Sequence, residues 1–292
     1  MPPTLGLFAV NLHACADPHV AARIAALAED LGYDSVWAGD HVVLPRPRVA
    51  PSPSEPDAPF LDPLVALAHL AGRTERIALG TGVVVLPQRN PLVLAKQLAS
   101  LDVLSGGRLV FGMAAGYLEP EMRAVGVPPE GRGARADEYL AAMRSLWYDD
   151  EPVFHGRHVD FAGVDAHPRP VQRPIPVVVG GHSPAALRRA ARHADGWYGW
   201  MLGRRAAAET ITRLRTLTAE AGRDPLHISI SPPRPPDAEY VRDYGELGVD
   251  RLIVVPPMGV TASELERFVT DHAPPNLGAR LAPKADSSEA RI

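Results

Sequence analysis

Cysteine is almost missing from these 292 residues, Cys15 being the only one. No intrachain disulfide can form, and no set of thiolates can close around a metal. His13, Cys15 and His19 lie near one another, but no fourth ligand of familiar spacing accompanies them, so no metal is expected. Long apolar runs are missing as well. Stretches such as Gly82–Leu86 stop after a few residues, far short of the roughly 20 needed to cross a bilayer. The first residues lack the charged and apolar regions of a secretory signal, so the reading is a cytoplasmic protein with no membrane partner. A net charge of −4 supplies no excess of positive charge to attract nucleic acid.

What is present is a repeated order of short apolar runs, each followed by a stretch with helical periodicity. Leu5–Val10 precedes a helix over about Asp17–Leu31, with Asp17-Pro18 as its cap, and Ser35–Ala38 precedes one from about Asp62. Ile77–Val85 leads to a helix from about Pro91, and Leu109–Ala114 to one over about Arg132–Trp147. Val177–Val179, Gly196–Trp200, Ile228–Ser231 and Leu252–Val255 are followed by helices beginning near Ser183, Arg205, Asp237 and Ala262. Eight strand–helix units imply a parallel sheet, and eight suit a closed (β/α)8 TIM barrel better than an open doubly wound sheet. Residues 1–279 are read as this barrel and residues 280–292, which lack periodicity, as a flexible tail. Extended loops follow the second strand (Val42–Phe60, rich in proline) and the fourth (Gly116–Gly131). Both fall on the C-terminal mouth, where barrels of this kind keep their chemistry.

Polar residues at strand ends are therefore the candidates. Asp40 and His41 directly follow the second strand. They read either as an acid–base pair, with the carboxylate raising the imidazole pKa and fixing its orientation, or as a loop anchor. After the fifth strand, Gly180-Gly181-His182-Ser183 reads either as an anion site at a helix N-terminus or as a tight turn. Small residues around Leu79–Val83 and Gly112–Gly116 leave room for a flat ring or serve packing. Asn11 and His13 are candidate substrate contacts. Trp197, Trp200 and Met201 read as core, and Arg204 and Arg205 either meet an anionic group or are simply solvated.

Together these segments resemble the luciferase-like monooxygenase superfamily, and within it the F420-dependent oxidoreductase branch, along nearly the whole chain to about Asp271. The ordered motifs are Ala28–Trp37, Gly39–His41, Arg76–Val83, Pro91–Lys96, Leu101–Arg108, Gly180-Gly181 and Asp195–Trp197. The resemblance implies a non-prolyl cis peptide at Gly82–Val83, bulging against the back of a deazaflavin or isoalloxazine ring. It implies that Asp40 and His41 lie near the reactive ring, and that Thr81, Ala115, Gly116, Tyr117 and the Gly180–Ser183 turn contact the cofactor and its phosphate. One departure is that relatives often carry Trp or Glu where this chain has Tyr117. The implied activity is hydride transfer between coenzyme F420 and a small organic substrate, with His41 and Asp40 assisting proton transfer. A basic Arg204-Arg205 exit mildly favours F420, whose acidic tail is long. The alternatives are an FMN-dependent monooxygenase using reduced flavin and oxygen, and a non-catalytic binding protein on the same scaffold. A homodimer, and a reductase that supplies reduced F420 or flavin, follow by resemblance only.

Overall fold

A computed structural model describes residues 1–282. Eight parallel strands form the barrel: β1 (Thr4–Phe8), β2 (Ser35–Ala38), β3 (Ala78–Thr81), β4 (Leu109–Ala114), β5 (Val177–Gly180), β6 (Gly196–Gly199), β7 (His227–Ile230) and β8 (Arg251–Val254). Each pairs with its neighbours in chain order, β8 pairs back onto β1, and the ring closes. The helices that follow the strands are α1 (Pro18–Asp30), α2 (Pro63–Ala71), α3 (Pro91–Leu104), α4 (Arg132–Tyr148), α5 (Pro184–His193), α6 (Arg204–Glu220), α7 (Ala238–Leu247) and α8 (Ala262–Asp271). No helix among the described residues is long and apolar enough to cross a membrane.

Local chemistry explains most of the boundaries. Asp17, Asp62, Asn90 and Ser183 each accept from the first-turn amides of the helix they open, and proline follows each at the first helical position, where its missing N–H costs nothing. β1 stops at Phe8, two residues before the expected end, because Ala9 takes φ 70° and turns the chain. β6 likewise ends one residue early, just before the turn made by Met201 at φ 51°. Two connections hold more structure than their sequence suggested. Gly116–Gly131 contains a short helix, Glu119–Ala124, and the excursion before β5 contains a hairpin of Phe154–His155 with Asp160–Phe161.

Two apolar layers hold the fold. The larger lies between strands and helices; the smaller fills the barrel itself with Phe8, Leu12, Trp37, Val178, Tyr198 and Ile253. Such an interior needs large and small residues in alternation. Trp37 fits because Gly80 faces it: a Cβ there would stand 2.5 Å from the indole. The Tyr198 hydroxyl is satisfied by Ser231 Oγ at 2.7 Å, and Ser231 donates on to Ile253 O. From Arg280 the chain lies against the segments that lead into β1 and β2: Arg280 N donates to Pro3 O and Ala282 N to Gly32 O. The rest of the expected tail lies outside the described residues.

Candidate active site

The third strand is broken where the sequence suggested one run through Val85. Gly80 pairs with Val110 and Val84 with Met113, so β3 and its extension Val84–Val85 use one more residue than β4 does. The extra residue is a bulge, and within it the Gly82–Val83 peptide is cis, as the resemblance implied. Side chains pin the bulge at both ends. Thr81 Oγ1 donates to Gly112 O at 2.7 Å and accepts from Gly112 N at 2.8 Å, replacing the ladder where it is interrupted. A Cβ at Gly112 would overlap the Thr81 carbonyl oxygen, so only glycine permits this approach. At the far end Asp40 Oδ2 accepts from Val85 N at 3.0 Å, and Oδ1 meets Arg89 Nη2 at 2.7 Å. Arg89 Nη2 is also 2.8 Å from Asp62, the N-cap of α2.

These contacts correct two expectations. Asp40 does not orient His41: both of its oxygens serve the bulge and Arg89. Thr81 is wholly buried and its hydroxyl is engaged with Gly112, so it braces the strand rather than presenting a hydroxyl to a ligand. Asn11 is corrected in the same way. Its amide donates to Gly39 O and Leu61 O and accepts from Gly39 N, which ties three loops together beneath the mouth and leaves no free donor for a substrate. His13 does stand at the mouth, its ring 6.4 Å from Phe60.

The group that meets His41 is Glu121, on the short helix that sequence reading left as loop. Glu121 Oε2 lies 3.0 Å from His41 Nδ1, and its side chain is only 1% exposed. Oε1 accepts from Val42 N at 2.6 Å and Val43 N at 3.4 Å, so one carboxylate grips the whole segment 41–43. Burial works to raise the Glu121 carboxyl, but the hydrogen bond and charge of His41 and the Val42 amide outweigh it and hold the group below the usual carboxylate range. On the other side of the imidazole, Tyr117 Oη is 3.4 Å from Nε2, and the rings of Phe60 and Tyr117 stand edge-on to it. Burial, then the Glu121 charge, raises the Tyr117 phenol.

Across the mouth, the turn after β5 is exposed from Gly181 to Ser183. Gly181 takes φ 113°, a conformation that suits glycine, and Ser183 Oγ caps α5 by accepting from Ala186 N. β6 supports the turn from behind: Trp197 Nε1 donates to Gly181 O at 2.9 Å, and Trp200 N donates to His182 Nε2 at 3.1 Å. His182 is thus neutral with its proton on Nδ1, in keeping with a pKa lowered by burial. Trp197 is core as expected. Trp200 and Met201 are instead partly exposed, with Trp200 packed 4.8 Å from Phe8. Between bulge and turn the residues are small. Gly180 faces Val83, where a Cβ would come within 3.1 Å of Cγ2, and Ala115 and Gly116 lie partly open beside them.

Other candidates are accounted for elsewhere. Cys15 is buried in the core, where burial pushes its thiol up to about 12. No group of three or more metal-ligating side chains occurs among the described residues. Arg204 and Arg205 are not a free basic exit, since Arg204 pairs with Asp243 at 2.7 Å and Arg205 with Glu209 at 3.0 Å. They no longer favour one cofactor over another.

Residues 4–236 match the family model described as luciferase-like monooxygenase. An uncharacterized protein of Mycobacterium tuberculosis is 35% identical over 242 residues, covering 80% of this chain and 85% of its own. A phthiodiolone/phenolphthiodiolone dimycocerosates ketoreductase of Mycobacterium kansasii is 31% identical, covering 87% of this chain and 74% of its own. An F420-dependent glucose-6-phosphate dehydrogenase of Kineococcus radiotolerans is 34% identical over 62% of this chain and 52% of its own. Two solved structures share the fold: an F420-dependent secondary alcohol dehydrogenase (TM-score 0.78, 19% identity, 95% of this chain and 99% of that one) and EDTA monooxygenase of Chelativorans sp. (TM-score 0.79, 17%, 97% and 95%). With the match covering most of the barrel, the bulge where its motif placed it and two oxidoreductases among the relatives, the chain belongs to the luciferase-like monooxygenase family and is an oxidoreductase.

Proposed function

We propose that this protein transfers hydride between coenzyme F420 and a small organic substrate, an alcohol in one direction and a carbonyl compound in the other. The observation that carries the reading is the placement of His41 at the end of β2, with a buried carboxylate on one ring nitrogen and the exposed Tyr117 beside the other. Interconverting an alcohol and a carbonyl moves one proton with each hydride, and an imidazole so held is suited to move it. The F420-dependent relative supports the same choice.

The residues present fit the cofactor. Gly180 lets its strand lie close against Val83 of the bulge, Ala115 and Gly116 are partly open, and Gly181–Ser183 offer exposed backbone at a helix N-terminus, where the dipole favours a phosphate. When bound, the deazaflavin supplies a ring carbon that accepts or returns hydride. The chain's own part is to hold that ring against the bulge, bind its phosphate at Gly181–Ser183, and move the proton at His41 Nε2. Exposed apolar side chains on the mouth loops, Val42, Val43, Trp200 and Met201, suit an uncharged substrate. A homodimer and a separate enzyme that recharges the cofactor belong to this reading.

Titration of cofactor-free protein with oxidised F420, and separately with FMN, by cofactor fluorescence tests it. Micromolar F420 binding, weakened at least about tenfold by Gly181→Asp, is the expected result. Preference for FMN moves the assignment to an FMN-dependent monooxygenase; binding of neither removes the cofactor reading.

A further inference from the structure

We infer that Glu121 is the positioning residue for His41: it fixes the imidazole with its proton on Nδ1, leaves the Nε2 lone pair as the proton-accepting atom, and stabilises the imidazolium that forms. The inference rests on the reading above that His41 carries the proton, and it names a residue that neither the strand-end motif nor the resemblance indicated.

Geometry supplies the argument. A carboxylate accepts hydrogen bonds and donates none, so at 3.0 Å the proton between Glu121 Oε2 and His41 Nδ1 belongs to the ring. Oε1 is held by the Val42 and Val43 amides, which prevents the carboxylate from turning away, and nine-tenths of the imidazole is also out of solvent. Nδ1 is thereby closed, and exchange with a substrate is left to Nε2. When Nε2 takes a proton from an alcohol, the O–H bond breaks, its electron pair stays on oxygen, and the ring becomes imidazolium beside a negative group already in place. A buried cation without that neighbour would be strongly disfavoured. In the other direction Nε2–H returns the proton to a carbonyl oxygen. The remaining groups around the ring cannot do this work. Tyr117 offers a phenol to Nε2, Phe60 an apolar edge, and His13 lies beyond Phe60. Asp40, adjacent in sequence, is committed to Val85 and Arg89. Two carboxylates thus divide the labour, Asp40 shaping the bulge and Glu121 governing the imidazole.

The test reads the imidazole itself in cofactor-free protein, by nitrogen NMR of the histidine rings, with His41→Asn identifying the signal. Wild type is expected to show His41 as a single tautomer protonated on Nδ1. Glu121→Gln keeps the shape, and because its oxygen stays with the Val42 and Val43 amides its NH2 turns to Nδ1, so the ring proton is expected to move to Nε2. Glu119→Gln, exposed on the same short helix, is the control and should leave it in place. A wild-type ring protonated on Nε2, or a tautomer unmoved by Glu121→Gln, overturns the inference. The wild-type tautomer decides even if Glu121→Gln fails to fold. In cofactor-loaded enzyme Glu121→Gln should lower kcat while Glu119→Gln leaves it unchanged. Absence of turnover with the NMR result intact would count against the proposed activity and leave the role of Glu121 standing.

Discussion

Thr81→Val separates a brace from a ligand contact. The substitution keeps the shape of the side chain and removes one oxygen that is both donor and acceptor toward Gly112. Phe111 N already bonds Pro176 O on the β5 side, so the groups of Gly112 face β3 and have Thr81 as their partner there. Both backbone groups are buried, as is Thr81. Leaving a buried polar group unpaired costs about 1–3 kcal/mol, and two are left, so the expected loss is about 3 kcal/mol and at least about 2 kcal/mol. Thr81→Ser keeps the oxygen and removes a methyl group, for which about 1 kcal/mol is expected. Urea unfolding followed by tryptophan fluorescence measures both, since Trp37, Trp147 and Trp197 are buried. The ordering wild type, Ser, Val is the expected outcome. Equal stability of the two variants, or a loss below about 0.5 kcal/mol in Thr81→Val with weakened cofactor binding, would show that the hydroxyl serves the ligand and that the brace argument is wrong.

Gly80→Ala places a methyl group 2.5 Å from the Trp37 ring in a filled barrel, and a stability loss of about 2–3 kcal/mol in the same urea assay is expected. Glu29 gives a pH-dependent test. Burial tends to raise its carboxyl, but three amides, from Ile77, Arg76 and Glu75, outweigh burial and hold it below the usual range. A group depressed in the folded state contributes stability above its unfolded pKa and loses it as pH falls through the folded value. Wild type should therefore exceed Glu29→Gln in stability at pH 7, with the gap closing as the pH is lowered below about 4, the range in which an unfolded glutamate titrates. A gap independent of pH refutes the assignment.

Much of the barrel was legible because its signals are local. An apolar run bounded by a cap residue and proline states where a helix begins, and Asp17, Asp62 and Ser183 each do what their position suggested. The bulge was legible only through its motif. What could not be read was which side chains meet across the mouth. Asp40 and His41 look like a pair because they are adjacent, but neighbours along an extended chain point to opposite sides. Glu121 is 80 positions away on a six-residue helix, too short to show a period. Its one local sign was an acidic residue beside Met122, which the structure buries. Asn11 misled for a related reason: a polar residue at a strand end is as useful for tying loops as for binding, and only its partners tell the two apart.

The bulge in β3 also acts as a frameshift in the wall of the barrel. In an unbroken strand, residues three or five apart lie on opposite faces. Here Gly80 and Val83 both face the interior, while Leu79 and Val84 both join the layer under the helices. Inward and outward have exchanged parity within four residues. Were the same residues to run as an unbroken strand, Val83 would turn outward and Val84 would be driven into the lumen, so the bulge sets which side chains line the barrel beyond it, and a further single-residue insertion here would reverse them again.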